Sequence, residues 1–264
     1  SERARAVSGA VSGDVSGDSR WLAASAALAA RGRPLSRPNP AVGAILVKDG
    51  KVVARGWTRP GGRPHAEAVA LEAAGAAARG ATLYVSLEPC AHMSAPGPAC
   101  ADLVSASGLA GVVIGCMDPD PRTAGSGLAR LRAAGIAAEF LPSAACAASL
   151  SGYLATRRLG RPEITLKLAL SLDGCIALAS GESQWITGAE ARAHTHAMRA
   201  RADAILVGGG TLRADSPRLD VRLPGLEERS PQRWVLTRGP APAGWKALPA
   251  PDAVSAMEGV QYLF

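Results

Sequence analysis

"PHAEAVALEAAGAAARGATLYVSLEPC", residues 64–90, decides how the fold is read. Its first part, 65–80, spaces apolar residues as one face of a helix does and stops at a glycine. Its second part, 81–87, is a short β-rich run that breaks at Pro-Cys. A helix feeding a strand through a tight glycine turn is the unit of layered α/β folds. The same alternation runs outward on both sides. Upstream, "AVGAILV" (41–47) and "KVVARGW" (51–57) flank Asp-Gly, a strong hairpin signal. Downstream come a short helix from Cys100, a strand at 111–116, a helix at 125–135, a strand at 136–141 and a helix near 144–158.

"RRLGRPE" (157–163) then reads as a domain boundary. A second α/β pattern follows, with strands at 164–170, 203–210 and 233–237, a helix at 188–202, and a buried-strand run at 259–264. The expected division is a flexible Ser/Gly-rich tail over 1–17, a first domain over 18–145, a linker helix over 146–160 and a second domain over 161–264. Ligands of parallel sheets sit beyond the C-terminal ends of strands, so stopping on a strand is expected to leave the second domain incomplete.

Composition narrows the class. The 264 residues are 48% hydrophobic but only 4% aromatic, so alanine-rich helices packed closely on a sheet are expected and disorder is not. The net charge is +7, yet no run of five or six like charges occurs, which argues against a nucleic-acid groove. "WLAASAALAA" (21–30) is too short to span a bilayer and follows Asp18, a plausible N-cap. It reads as a first helix, not an export signal. The expected setting is the cytoplasm, where a structural disulfide is out of place.

Chemistry concentrates in one constellation: His65-Ala66-Glu67 at a helix start, Pro89-Cys90 after a strand, and Cys100 nine intervening residues later. One imidazole, two thiolates, an open fourth position and a carboxylate that is not a ligand make the inventory of a zinc deaminase. Zn²⁺ lowers the pKa of a water, and Glu67 is expected to carry the proton to the leaving amine. Separately, a surface histidine and two core cysteines would explain each piece. Their conjunction, each beside a helix start or strand end, favours the metal. Cys116, Cys146 and Cys175 have no such company and read as packing residues, while His194 and His196, two apart on a helix, face different ways. Nucleic-acid and cytidine deaminases usually space their cysteines C-x-x-C, so the longer interval here points to a loop that shapes a substrate pocket.

Longer stretches carry a resemblance. "RPNPAVGAILVKDGKVVARGW", "PHAEAVAL", "GATLYVSLEPCAH", "GPACADL" and "DPDPRTAGSGLARLRAAGI" resemble the bifunctional riboflavin-biosynthesis deaminase–reductase family. "LKLALSLDGCIALASGESQWITGAEARAHTHAMRARADAILVGGGTLRADSPRLDVRLPG" resembles the start of its reductase half. The resemblance implies a cytidine-deaminase-like three-layer α/β/α domain, then an incomplete dihydrofolate-reductase-like α/β domain.

The implied reaction is zinc hydrolysis of the 2-amino group of 2,5-diamino-6-(5-phosphoribosylamino)pyrimidin-4(3H)-one, followed by NADPH reduction of the ribosyl chain to ribityl. His65, Cys90 and Cys100 carry over as zinc ligands and Glu67 as the catalytic proton shuttle. Asn39, His92, Ser183, Arg199, Leu219 and Arg222 match substrate positions. Ala169, Trp185, Thr211 and Asp215 match cofactor positions, and Lys167 and Asp173 are expected as further polar groups of the second site.

Two departures from the family pattern stand out. The 93–99 loop lacks the basic residue that the family offers to the substrate phosphate. The chain also stops before the family's Glu-Gly-Gly turn, so weak or absent NADPH binding is expected. The expected partner is a phosphorylated pyrimidine, with no nucleic acid and no membrane, and an unfinished sheet edge suggests a second copy of the chain. A nucleoside or nucleic-acid deaminase and an inactive zinc scaffold are the competing readings.

Overall fold

The computed structural model describes residues 15–92 and 97–249, which fall into two compact units divided between Gly160 and Arg161. The expected strand at 259–264 lies outside the described residues, as does most of the expected N-terminal tail.

The first unit runs α1 (Val15–Ala29), β1 (Gly43–Lys48), β2 (Lys51–Trp57), α2 (Ala66–Ala74), β3 (Thr82–Val85), α3 (Cys100–Ser105), β4 (Gly111–Ile114), α4 (Ser126–Ala133), β5 (Ala137–Phe140), α5 (Ala144–Ser149) and α6 (Ser151–Leu159). The five strands form one sheet in the order β2-β1-β3-β4-β5. β1 is antiparallel to both neighbours, and β3, β4 and β5 are parallel. The hairpin forms as its Asp-Gly dictates, with Asp49 and Gly50 both at positive φ.

Two glycines reveal the layers. A Cβ on Gly43 of β1 would lie 2.0 Å from the Ser25 carbonyl of α1, and one on Gly56 of β2 would lie 2.1 Å from the Ala66 carbonyl of α2. Gly43 pairs with Trp57 and Ala44 with Gly56, so the two glycines sit on opposite faces of the pleat. α1 therefore covers one face and α2 the other, each close enough to exclude any side chain. Leu22, Leu46, Leu83, Val85, Val112, Ile114, Leu131 and Leu150 fill the core between them, all at most 1% exposed.

Three details differ from expectation. α1 begins at Val15, three residues before Asp18, so Asp18 is inside the first turn. There its carboxylate accepts the Tyr84 hydroxyl at 2.5 Å, tying α1 to β3. The helix expected at 65–80 ends at Ala74 and passes into a 3-10 turn over Gly75–Ala78. The stretch expected as a linker helix instead packs as part of the first unit. It splits at Leu150 into α5 and α6, and Cys146, Leu150 and Leu154 belong to that core.

The second unit contains α7 (Ala189–Arg199), β6 (Ala204–Gly208), α8 (Gly209–Asp215), β7 (Gln232–Thr237) and β8 (Lys246–Pro249). Its strands form a parallel three-stranded sheet in sequence order. The run 164–170, expected as a strand, forms no ladder among the described residues. Its alternate Ile164, Leu166, Leu168 and Leu170 are 43–56% exposed. Alternation marks a residue set suited to a half-covered sheet, but a strand exists only where a neighbouring backbone supplies the hydrogen bonds.

Candidate metal centre and its surroundings

The centre forms where two helices begin and a parallel strand ends, the usual place for a site in such sheets. His65 is the N-cap of α2, in extended conformation (φ −70°, ψ 164°), so its side chain leaves the helix axis while Glu67 turns inward in the first turn. Cys90 follows β3 by five residues, and Cys100 is the first residue of α3. One ligand atom from each of the three residues lies within 4.8 Å of the others. His65 Nδ1 is 3.3 Å from Cys100 Sγ and 3.6 Å from Cys90 Sγ. The Cys100 backbone N–H donates to Cys90 Sγ at 3.3 Å. One imidazole nitrogen and two sulfurs, both cysteines buried, make a donor set that fits zinc.

Electrostatics agree with a metal-ready site. The side-chain hydrogen bond from Cys100 draws the Cys90 thiol well below its ordinary value, with His65 adding to it. The Cys100 thiol moves the other way, pushed up by the neighbouring sulfur and by burial. Burial works against a charged His65, but Cys90 and Glu67 outweigh it and raise its pKa. Glu67, 3% exposed, is raised by burial, against the pull of His65. A carboxyl so placed can hold a proton closer to neutrality than a solvated one.

Two further residues of the first unit singled out in the sequence reach this neighbourhood. Asn39 Nδ2 donates to the Gly62 carbonyl at 3.0 Å and lies 3.2 Å from His65 Nε2, the ring nitrogen turned away from the sulfurs. His92 Nδ1 is 3.3 Å from the hydroxyl of buried Thr123, on the loop after β4. The loop between Cys90 and Cys100 includes residues 93–96, outside the described set.

In the second unit the expected substrate residues Arg199, Leu219 and Arg222 gather around Asp220. Arg199 Nη1 donates to the Asp220 carbonyl at 3.2 Å, and Arg222 Nη1 to its carboxylate at 2.6 Å. Leu219, at φ 54°, is buried beside them. An open cleft of about 420 Å³ is lined there by Arg218, Asp220, Arg222 and Glu227 among others. Arg199 Nε is buried with no hydrogen-bond partner among the described residues. Ser183 and Trp185 stand exposed, and the Trp185 ring lies 4.3 Å beneath Arg192. Thr211 and Asp215 are exposed on α8, and Ala169 is half-buried in the 164–170 run. The cofactor positions are thus spread over three segments. Lys167 is exposed in that run, and Asp173 sits in a turn where it accepts the Ser171 hydroxyl. Among the remaining cysteines, Cys116 and Cys146 are buried as packing residues should be, but Cys175 is exposed in the same turn, with its N–H bonded to Ser171. That corrects its reading as a core residue: turn geometry, not packing, holds it.

Glu88 carries a buried polar cluster that sequence reasoning passed over. Its buried carboxylate accepts the backbone N–H groups of Asp118, Gly125 and Leu128. Asp118 in turn accepts the Tyr153 hydroxyl at 2.7 Å, and Asp120 accepts Arg122. The available signal was an acid inside the apolar run "LYVSLEPC".

A sheet of this order, with an imidazole and two sulfurs converging beyond the end of its central strand β3 and a buried carboxylate beside them, defines the class of zinc-dependent deaminases. The sequence model of the cytidine and deoxycytidylate deaminase zinc-binding region matches residues 15–116, and that of the RibD C-terminal domain matches residues 162–245. The riboflavin biosynthesis protein RibD of Escherichia coli is 46% identical over 214 residues, 81% of this chain and 58% of that protein. RibD of Aquifex aeolicus is 41% identical over 83% of this chain and 61% of its own length. The structure of Acinetobacter baumannii RibD superposes with a TM-score of 0.78 at 36% identity, over 95% of this chain and 76% of that one. The diaminohydroxyphosphoribosylaminopyrimidine deaminase/5-amino-6-(5-phosphoribosylamino)uracil reductase of Thermotoga maritima gives 0.81 at 31% identity, over 93% and 77%. The chain belongs to the RibD family and spans about 58% of the length of the E. coli relative. No helix among the described residues is long and apolar enough to cross a membrane.

Proposed function

We propose that this chain deaminates 2,5-diamino-6-(5-phosphoribosylamino)pyrimidin-4(3H)-one, with His65, Cys90 and Cys100 as zinc ligands and Glu67 as the catalytic acid–base. The observation that carries the proposal is the meeting of those three ligand atoms within 4.8 Å beside the buried Glu67. A purely structural zinc site closes its fourth position with another ligand and has no use for a shuttle carboxylate.

Zinc held there supplies Lewis acidity that brings the pKa of a water towards neutrality. The chain's own residues do the rest. Glu67 takes a proton from the attacking water and passes it to the exocyclic nitrogen. The C2–O bond forms, the C2–N bond breaks, and ammonia leaves. The raised pKa of Glu67 suits both halves of that transfer. Asn39 and His92 offer hydrogen-bonding groups to the pyrimidine.

The second unit is proposed as the reductase half, taking the sugar phosphate near Arg199, Leu219, Arg222 and Ser183, and NADPH along Ala169, Trp185, Thr211 and Asp215. The forked guanidinium groups suit phosphate oxygens. A cytoplasmic setting is proposed because all five cysteines are free thiols. A homo-oligomer is also proposed, because the leucines of 164–172 stand exposed and need cover. The test is ammonia release from the pyrimidine phosphate by the purified chain, with cytidine as the comparison. Turnover of cytidine and not of the pyrimidine phosphate contradicts the proposal.

A further inference from the structure

Glu88 is a buried carboxyl group two residues before a metal ligand, and no ion pair reaches it among the described residues. Its oxygens are met by main-chain N–H groups. Oε2 accepts Gly125 N–H at 3.0 Å and Asp118 N–H at 3.3 Å, and Oε1 accepts Leu128 N–H at 3.0 Å. Gly125 is the N-cap of α4 and has no side chain with which to cap it. The first N–H groups of a helix lack intrahelical partners and attract negative charge. Glu88 therefore acts as the cap of α4 from a distant part of the chain.

The contact is tight. A Cβ on Gly127 would lie 2.1 Å from the Pro89 carbonyl and 3.0 Å from Glu88 Cγ. The first turn of α4 thus presses on the peptide immediately before Cys90. The same short segment is held on its other sides. Glu88 N–H donates to the Cys116 carbonyl at 2.9 Å, and the Cys90 carbonyl accepts Ala101 N–H of α3 at 3.1 Å. Two residues beyond Cys90, His92 meets Thr123, which lies on the loop leading into α4. The loop and first turn at 118–128 form a template against which 88–92 is moulded.

We propose that Glu88 is a positioning residue for the metal centre: by joining the first turn of α4 to the Glu88–Pro89 segment, it fixes the main chain that presents Cys90 and His92. The inference rests on the reading of His65, Cys90 and Cys100 as zinc ligands, and on no step of catalysis. Groups that orient metal ligands without touching the metal typically change affinity about 10–100-fold when altered.

The test uses the full chain and metal alone. Zinc affinity is measured by competition with a chelator, and the site is imaged by the visible spectrum of the cobalt(II)-substituted protein, for wild type, Glu88→Gln, Gly127→Ala and the exposed hairpin control Lys51→Ala. Thermal midpoints are recorded alongside. Glu88→Gln places an amide N–H₂ against backbone donors, and Gly127→Ala pushes the same contact apart while leaving the carboxylate in place. Both are expected to weaken zinc binding about tenfold or more and to alter the cobalt spectrum, while Lys51→Ala changes neither. Folded variants whose thermal midpoint falls but whose zinc affinity and spectrum match wild type overturn the proposal. So does failure of both variants to fold, because Glu88 would then serve the domain as a whole. A wild-type chain that binds neither metal sinks the ligand assignment and this inference together. A zinc-binding wild type without deaminase turnover contradicts only the proposed reaction.

Discussion

The Cys100 backbone N–H donates to Cys90 Sγ at 3.3 Å, so the start of α3 helps stabilise the thiolate that shares its metal centre. A backbone donor aimed at sulfur costs no side-chain ordering and favours the charged form. It adds to the side-chain hydrogen bond from Cys100, the largest influence, in lowering the Cys90 pKa, while the neighbouring sulfur and burial raise that of Cys100.

Cys90→Ser is expected to weaken zinc binding by more than about 100-fold, beyond the range seen for outer-shell changes, and to lower the stability of the first unit. Metal analysis of the purified variant after dialysis checks it; zinc content equal to wild type would refute the ligand role.

Glu67→Gln keeps shape and removes the titrating group. Zinc content and thermal midpoint should stay near wild type while deamination falls about 10²–10⁴-fold, the usual contribution of a positioned acid–base. Ammonia release measured beside metal content decides the matter, and a turnover loss below threefold rules out a proton shuttle at this position.

Gly56→Ala forces a methyl group into the Ala66 carbonyl of α2, one residue from His65. A clash with backbone cannot be relieved by a rotamer, so a loss of about 1–3 kcal/mol is expected. Chemical denaturation gives the number, and an unchanged midpoint would mean that the sheet and α2 are not in such close contact.

Acid should act through Asp120. Its carboxylate is buried and accepts the Arg122 side chain and then the Arg122 backbone N–H, with the charges of Arg122 and Arg157 adding to them, which holds its pKa below the usual carboxylate range. A folded pKa below the unfolded one gives stability that is present above about pH 4 and is lost as pH falls further. Arg122 is 61% exposed, so water screens the pair and Asp120→Asn should cost only about 1 kcal/mol at neutral pH. The gap between wild type and variant should close in acid; a gap that widens below pH 4 would reverse the sign of the argument.

Much of the first unit was legible because its signals are local. Asp49-Gly50 demands a hairpin, the apolar spacing after His65 demands a helix, and "ATLYVSL" reads as a strand whatever surrounds it. His65, Cys90 and Cys100 were legible although distant from one another, because the residue types and their places at element ends agree with one chemistry. Glu88 was not. A carboxylate that caps a helix some forty positions later leaves no periodic trace, and its role emerges only when α4 is seen against Pro89. The 164–170 run failed for the opposite reason. Its pattern is strong, but pattern describes what a strand would bury and not whether a neighbouring strand is present. Asp18 shows a smaller version of the same lesson: a residue suited to cap a helix was taken instead by the Tyr84 hydroxyl.

The most direct test of the central claim is X-ray absorption at the zinc edge of the purified full chain. One zinc per chain is expected, with two sulfur ligands at about 2.3 Å and one imidazole nitrogen at about 2.0 Å. A chain that binds no zinc, or whose zinc sees no sulfur, would contradict the account.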